Sequence, residues 1–212
     1  MSAAEILIID FGGSEREILL TEIEARGLTA ESHGPSLTAS EIEAAGYRAI
    51  IFCGKPTLEG MKKTGGVRPG IPFDKKIFQL ELPILAINFA ARVMMQLKRG
   101  QVAIPGDDED GAWHAESEPL LVELIREDRL LRGFPPSFEP MSCSPYFIKS
   151  IPETMTLLAR APGMPHLISG DLSLHHYALD IQVPTAQKLR ARLLDNFLFD
   201  IVGLNIQKAQ DS

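Results

Sequence analysis

Leu82-Pro-Ile-Leu-Ala-Ile-Asn-Phe-Ala-Ala-Arg-Val-Met-Met-Gln-Leu97 joins two kinds of hydrophobic pattern without a break. Its first six residues are a short apolar run, as expected of a strand buried on both faces of a parallel sheet. From Ala90 to Leu97 the apolar residues take helical spacing. A strand turning directly into a helix is a βα unit, the building block of a parallel α/β sheet.

Upstream it recurs twice. Glu5-Ile-Leu-Ile-Ile-Asp10 is a second apolar run rich in β-branched residues, and it breaks at Phe11-Gly12-Gly13-Ser14. Ser14 and Glu17 have capping-box spacing, and Ile18, Leu19, Ile23 and the closing Gly27 predict an amphipathic helix. Ser40 and Glu43 form another such pair before a short helix ending at Gly46. The strand Arg48 to Cys53 follows, broken at Gly54-Lys55-Pro56. The glycine-rich stretch 57–72 reads as an exposed loop, in which Lys62, Lys63 and Arg68 are solvated, and a helix is expected over 74–81. Strands alternating with helices imply a parallel α/β sheet with right-handed crossovers.

Downstream the pattern changes. Strand-like runs around 101–104, 118–125, 155–160 and 174–181 are separated by Pro and Gly, which predicts antiparallel additions at one edge. A helix is expected from Pro184 to Val202, with Pro184 in its first turn. There is no internal repeat, and the whole of 1–212 reads as one domain of 212 residues.

Composition narrows the function. The chain is 45% apolar and 23% charged with a net charge of −7, which fits a globular protein and disfavours nucleic-acid binding, since phosphate contacts need clustered Lys and Arg. No leader pattern opens the sequence, and no apolar run approaches the roughly 18 residues of a membrane span, so a cytoplasmic location is expected. Cys53 and Cys143 lack zinc spacing and are expected to be free thiols. No metal or cofactor is expected. His175-His176, taken as neighbours on a strand, point to opposite faces, and the acidic run 107–110 reads as a solvated loop.

Six short segments, in order across nearly the whole chain, resemble the glutaminase domain of GMP synthase, a class I glutamine amidotransferase. Ile6 to Gly13 is similar to that family's opening strand and D-F-G turn. Phe52-Cys-Gly-Lys-Pro56 resembles its S-G-G-P loop, and Leu82 to Leu97 its strand, nucleophile elbow and helix, V-P-V-L-G-V-C-Y-G-M-Q. Arg129 to Pro135 is similar to S-P-L-F-x-G-L. Met141-Ser142 with Ile151-Pro152 resembles the stretch around S-H-G-D and the later I-P, and Asn196 to Gly203 resembles N-F-L-x-x-I-C-G. The resemblance implies a flavodoxin-like class I amidotransferase fold, its central sheet mostly parallel, flanked by helices and extended by antiparallel edge strands.

The same alignment implies that the chemistry is lost. Amide hydrolysis in this family needs a thiolate on the elbow, a His to activate it and an acid to orient the His. Asn88 falls on the nucleophile, Gln182 on the base and Pro184 on the acid. Ala90 replaces the elbow glycine, which is expected to remove tolerance of strained backbone at that residue. The residues implied to line the degenerate pocket are Gly54, Lys55, Asn88, Phe89, Ala90, Arg92, Cys143 and Gln182, with Arg92 where the family has Gln. Trp113-His114 falls on a substrate-side stretch. The expectation is a catalytically degenerate, GMP synthase glutaminase-like protein that binds or regulates. A small molecule in the old pocket, and a synthetase-type partner or self-association, are the implied interactions. The alternatives are different chemistry in the same cleft, through Cys53, Cys143 or a nearby acid, and a working amidotransferase that supplies ammonia to a synthetase.

Overall fold

The computed structural model describes residues 4–54, 74–103, 121–139, 147–181 and 187–205. β1 (Ile6–Asp10), β3 (Ala49–Cys53) and β4 (Ile84–Ile87) are the three apolar runs, and nearly every residue in them is buried. Successive side chains point to opposite faces, so each run feeds two cores at once. Ile6, Ile8, Ile51, Leu85 and Ile87 pack on one face with Leu19 and Ile23 of α1 (Glu15–Glu24). Leu7, Ile9, Ile50, Phe52 and Ala86 pack on the other with Met94 and Met95 of α3 (Phe89–Leu97) and Ile42 of α2 (Ala39–Ala45).

The main sheet has nine strands in the order β2-β1-β3-β4-β11-β10-β9-β6-β7. β2 (Ala30–His33), β1, β3, β4 and β11 (His176–Leu179) run parallel. β10 (Met164–Asp171), β9 (Thr156–Ala161), β6 (Val122–Leu124) and β7 (Ser137–Phe138) extend it with antiparallel pairings. The mostly parallel centre with antiparallel edge strands is thus as expected.

Two runs sit elsewhere than expected. The run around 174–181 is no edge addition: β11 enters the middle of the sheet, parallel to β4, because its four residues are all buried and need cover on both faces. β5 (Gln101–Ala103) leaves the main sheet and pairs with β8 (Phe147–Ser150) in a separate ribbon.

Helix starts differ too. Ser14 precedes α1 but its side chain makes no capping bond. The capping box of α2 is Thr38 with Glu41, two residues before the expected pair, so Ser40 and Glu43 lie inside the helix. Gly46 closes α2 in the left-handed conformation, φ 76°. The expected helix over 74–81 is a short 3₁₀ segment, Lys75–Gln79, capped by Asp74. The C-terminal helix is α-helical over Gln187–Asp195 (α4) and continues as a π-helical turn over Asn196–Ile201. Asn196 is buried in that turn, where its amide donates to the carbonyls of Leu130 and Arg132, both at 2.9 Å. Two segments that carry the resemblance separately are therefore joined by one side chain.

Candidate functional site

β3, β4 and β11 are adjacent and parallel, so their C-terminal ends open on the same edge of the sheet, where ligands of open α/β folds gather. Register pairs Phe52 with Ala86 and Ile87 with Leu179. Gly54 and Asn88, two residues beyond Phe52 and Ala86, and Asp180, directly after Leu179, therefore lie at this edge.

Asn88 forms the turn from β4 into α3 with φ 55° and ψ −116°, outside the ordinary left-handed basin. The strain that the resemblance implied for the elbow is thus at Asn88 itself. Ala90 lies within α3 and is helical, so its lack of glycine freedom costs nothing there, contrary to expectation. The turn is held on both sides: the Asn88 N–H donates to the Leu179 carbonyl at 2.6 Å, and its own carbonyl accepts from the Ala91 N–H at 3.0 Å.

The side chain is held as well. Arg92, one turn into α3, donates from Nη2 to Asn88 Oδ1 at 2.7 Å, and its Nη1 lies 3.5 Å from Asp180 Oδ1. All three residues are buried. Asp180 Oδ2 accepts from the Ile148 N–H at 3.1 Å. Burial pushes the Asp180 carboxyl up to about 6, against the opposing pull of Arg92 and the Ile148 N–H. Around neutral pH the group is an anion beside Arg92, and modest acidification neutralises it.

Gly54 ends β3 with φ 81°. A Cβ here would lie 2.3 Å from the Gly12 carbonyl oxygen and 2.5 Å from Asp10 Oδ1, so only glycine fits. Its buried N–H donates to the carboxylate of Glu15, in the first turn of α1, at 2.8 Å. Phe11, after β1, meets Phe89 edge-on at 5.4 Å between ring centres, linking this corner to the elbow.

Cys53 is fully buried, and its Sγ lies 3.9 Å from Asp10 Oδ1. Burial, then the carboxylates of Asp10 and Glu15, push its thiol well above the usual range. That opposes a nucleophilic role for Cys53. His176 alone is on a strand. His175 is in the preceding turn with φ 56°, so the expected strand pair does not form. Among the described residues no group of His, Cys, Asp and Glu could hold a metal, and no helix is long and apolar enough to cross a membrane.

The structure thus gathers Gly54, Asn88, Phe89, Ala90 and Arg92 at one sheet edge. Lys55, Cys143, Gln182 and Pro184 lie outside the described residues, as do Lys62, Lys63, Arg68, the acidic run 107–110 and Trp113-His114. Glu15 and Asp180 were missed as site residues. The signal for Asp180 was its place directly after a buried strand, matching Asn88 after β4. Nothing local marked Glu15, whose partner is 39 residues away. A separate cleft of about 750 Å³, lined by Leu124, Ile125, Arg129 and Phe134 among others, lies beside β6. It is four strands from β4, about 19 Å at ordinary strand spacing.

The architecture is that of the class I glutamine amidotransferases. A Thermoplasma acidophilum protein, provisionally named as one of the subunits of GMP synthase, superposes with a TM-score of 0.73 over 93% of this chain and 94% of its own, at 18% identity. A glutamine amidotransferase of Thermotoga maritima gives 0.61 over 94% and 84%, at 11% identity. In sequence the chain is similar to the glutaminase domain of GMP synthase: it is 28% identical over 204 residues to the glutamine-hydrolysing GMP synthase of Solidesulfovibrio magneticus. The match covers 94% of this chain and 37% of that protein, so the chain spans little more than a third of the relative's length. No protein-family model matches it.

Proposed function

We propose that the chain is a catalytically degenerate amidotransferase domain, which keeps the fold and the cleft of its relatives but does not release ammonia from glutamine. The Arg92 to Asn88 hydrogen bond at the strained elbow carries this reading. A carboxamide nitrogen is conjugated and not nucleophilic, and here the amide oxygen is also committed to a guanidinium. Losing one member of such a triad costs on the order of 10⁴ to 10⁶ in rate. Among the described residues the only thiol is that of Cys53, and it offers no substitute, since burial raises its pKa.

What remains is a role in binding or regulation, with a small molecule in the cleft or a synthetase-type protein on the surface. The similarity to GMP synthase supports a partner of that kind. The test is a chloroketone analogue of glutamine, incubated with the protein at pH 7.5 and followed by intact mass. An unchanged mass is expected. Stoichiometric adduct formation within the cleft would contradict the reading, and its position would name the nucleophile.

A further inference from the structure

The cleft of about 750 Å³ beside β6 lies apart from the sheet edge around Asn88, and its volume is that of a small-molecule site. Its wall is a loop, yet that loop is fixed at three points. Asp128 Oδ1 accepts from the Leu130 N–H at 2.8 Å, which closes the turn at its start. The buried Asn196 donates from Nδ2 to the carbonyls of both Leu130 and Arg132 at 2.9 Å. Gly133 has φ 74°, and Arg192 of α4 packs so close that a Cβ there would stand 2.2 Å from its Nη1. A pocket whose wall is already ordered loses less freedom when it binds.

Polarity and charge define what fits. Leu124, Ile125, Leu131 and Phe134 give the cleft an apolar lining, with Phe134 held edge-on against Phe138 at 5.4 Å between ring centres. Arg126, Arg129 and Arg132 line it too, against Glu127 and Asp128. Asp128 is engaged by the Leu130 N–H, and Arg132 is paired with Asp200 at 2.8 Å. That leaves Arg126 and Arg129, both exposed and neither ion-paired with a described residue, against the carboxylate of Glu127.

We infer that this cleft binds a small aromatic monocarboxylate, its ring on the lining from Leu124 to Phe134 and its anion on Arg126 and Arg129. A planar guanidinium takes a carboxylate through two parallel hydrogen bonds and also stacks on aromatic rings. The two arginines therefore suit both halves of such a ligand. Glu127, between them in sequence, repels a multiply charged one. The inference is independent of whether glutamine is hydrolysed at the other site.

Naphthalene-2-carboxylate and the uncharged naphthalene-2-methanol, similar in shape, are titrated separately into the ¹⁵N-labelled protein and followed in ¹⁵N–¹H spectra. The carboxylate is expected to shift the amides of residues 124–134 saturably and to leave that of Asn88 in place. The alcohol should bind at least roughly tenfold more weakly, as expected when a charge-assisted hydrogen bond is lost. Arg126→Gln combined with Arg129→Gln, at exposed positions where substitution leaves the fold intact, should weaken the carboxylate by a similar factor. Equal binding of the two probes to the unaltered protein would overturn the inference, a result that needs no variant. So would unsaturable shifts, shifts scattered over the surface, or an unchanged affinity in the double variant.

Discussion

Arg92 reaches back one helical turn to Asn88, binding its side-chain oxygen at 2.7 Å while its other terminal nitrogen faces the buried carboxylate of Asp180 at 3.5 Å. The guanidinium therefore ties the elbow on β4 to the end of β11. Removing one member of a buried ion pair leaves the other charged without compensation. Arg92→Met is expected to destabilise the fold by about 3 kcal/mol at pH 7.5. The Asp180 carboxyl is already held up near 6 and rises further without Arg92, so at pH 5 it is neutral in the folded variant. The penalty should then shrink, as urea denaturation at the two pH values will show. An equal penalty at both would mean that the pair does not carry the effect.

His176 gives the opposite kind of pH dependence. Burial, followed by the nearby charge of Lys98, lowers its folded pKa to about 4, below the 6.5 of the unfolded chain. Above pH 6.5 both states are neutral and the ring costs nothing electrostatically. As pH falls towards 4 the unfolded state takes up the proton first, and stability is lost. Relative to the unaltered protein, His176→Leu should gain on the order of 2 kcal/mol between pH 7 and pH 4. Denaturation midpoints of both proteins across that range check it.

Two glycines with nearly equal φ separate conformational strain from steric clash. Gly46 has φ 76° and open space where a methyl group would stand, so Gly46→Ala should cost about 1 kcal/mol. Gly54 has φ 81° and backbone oxygen at 2.3 Å, so Gly54→Ala must also push β1 and β3 apart. Its cost should exceed that of Gly46→Ala by about 2 kcal/mol or more. Thermal unfolding of the pair decides this, and equal losses would refute the close packing at Gly54.

The parallel centre of the fold was legible because β1, β3 and β4 are local apolar runs with helices behind them. β2 was not: Ala30-Glu-Ser-His33 is a polar edge strand in which only one face is half-buried. β11 was legible as a strand but not as a central one, since its place follows from pairing with β4, far away in sequence. Thr38, Ser40 and Ser36 all offer a capping hydroxyl near α2, and only the backbone turn selects Thr38. In the site, Asn88 and Arg92 were readable from a continuous match around them. Their mutual bond follows from helical spacing, but its extension to Asp180, like that of Glu15 to Gly54, is a product of tertiary folding.

With Asn88 at the elbow, this amidotransferase-type cleft is expected not to hydrolyse glutamine. Ammonia release from saturating glutamine, measured with the protein alone and with a GMP synthase-type ATP-dependent synthetase added, tests it most directly. Release is expected at the rate of the protein-free control in both cases. Turnover above that background, abolished by Asn88→Ala, would contradict it.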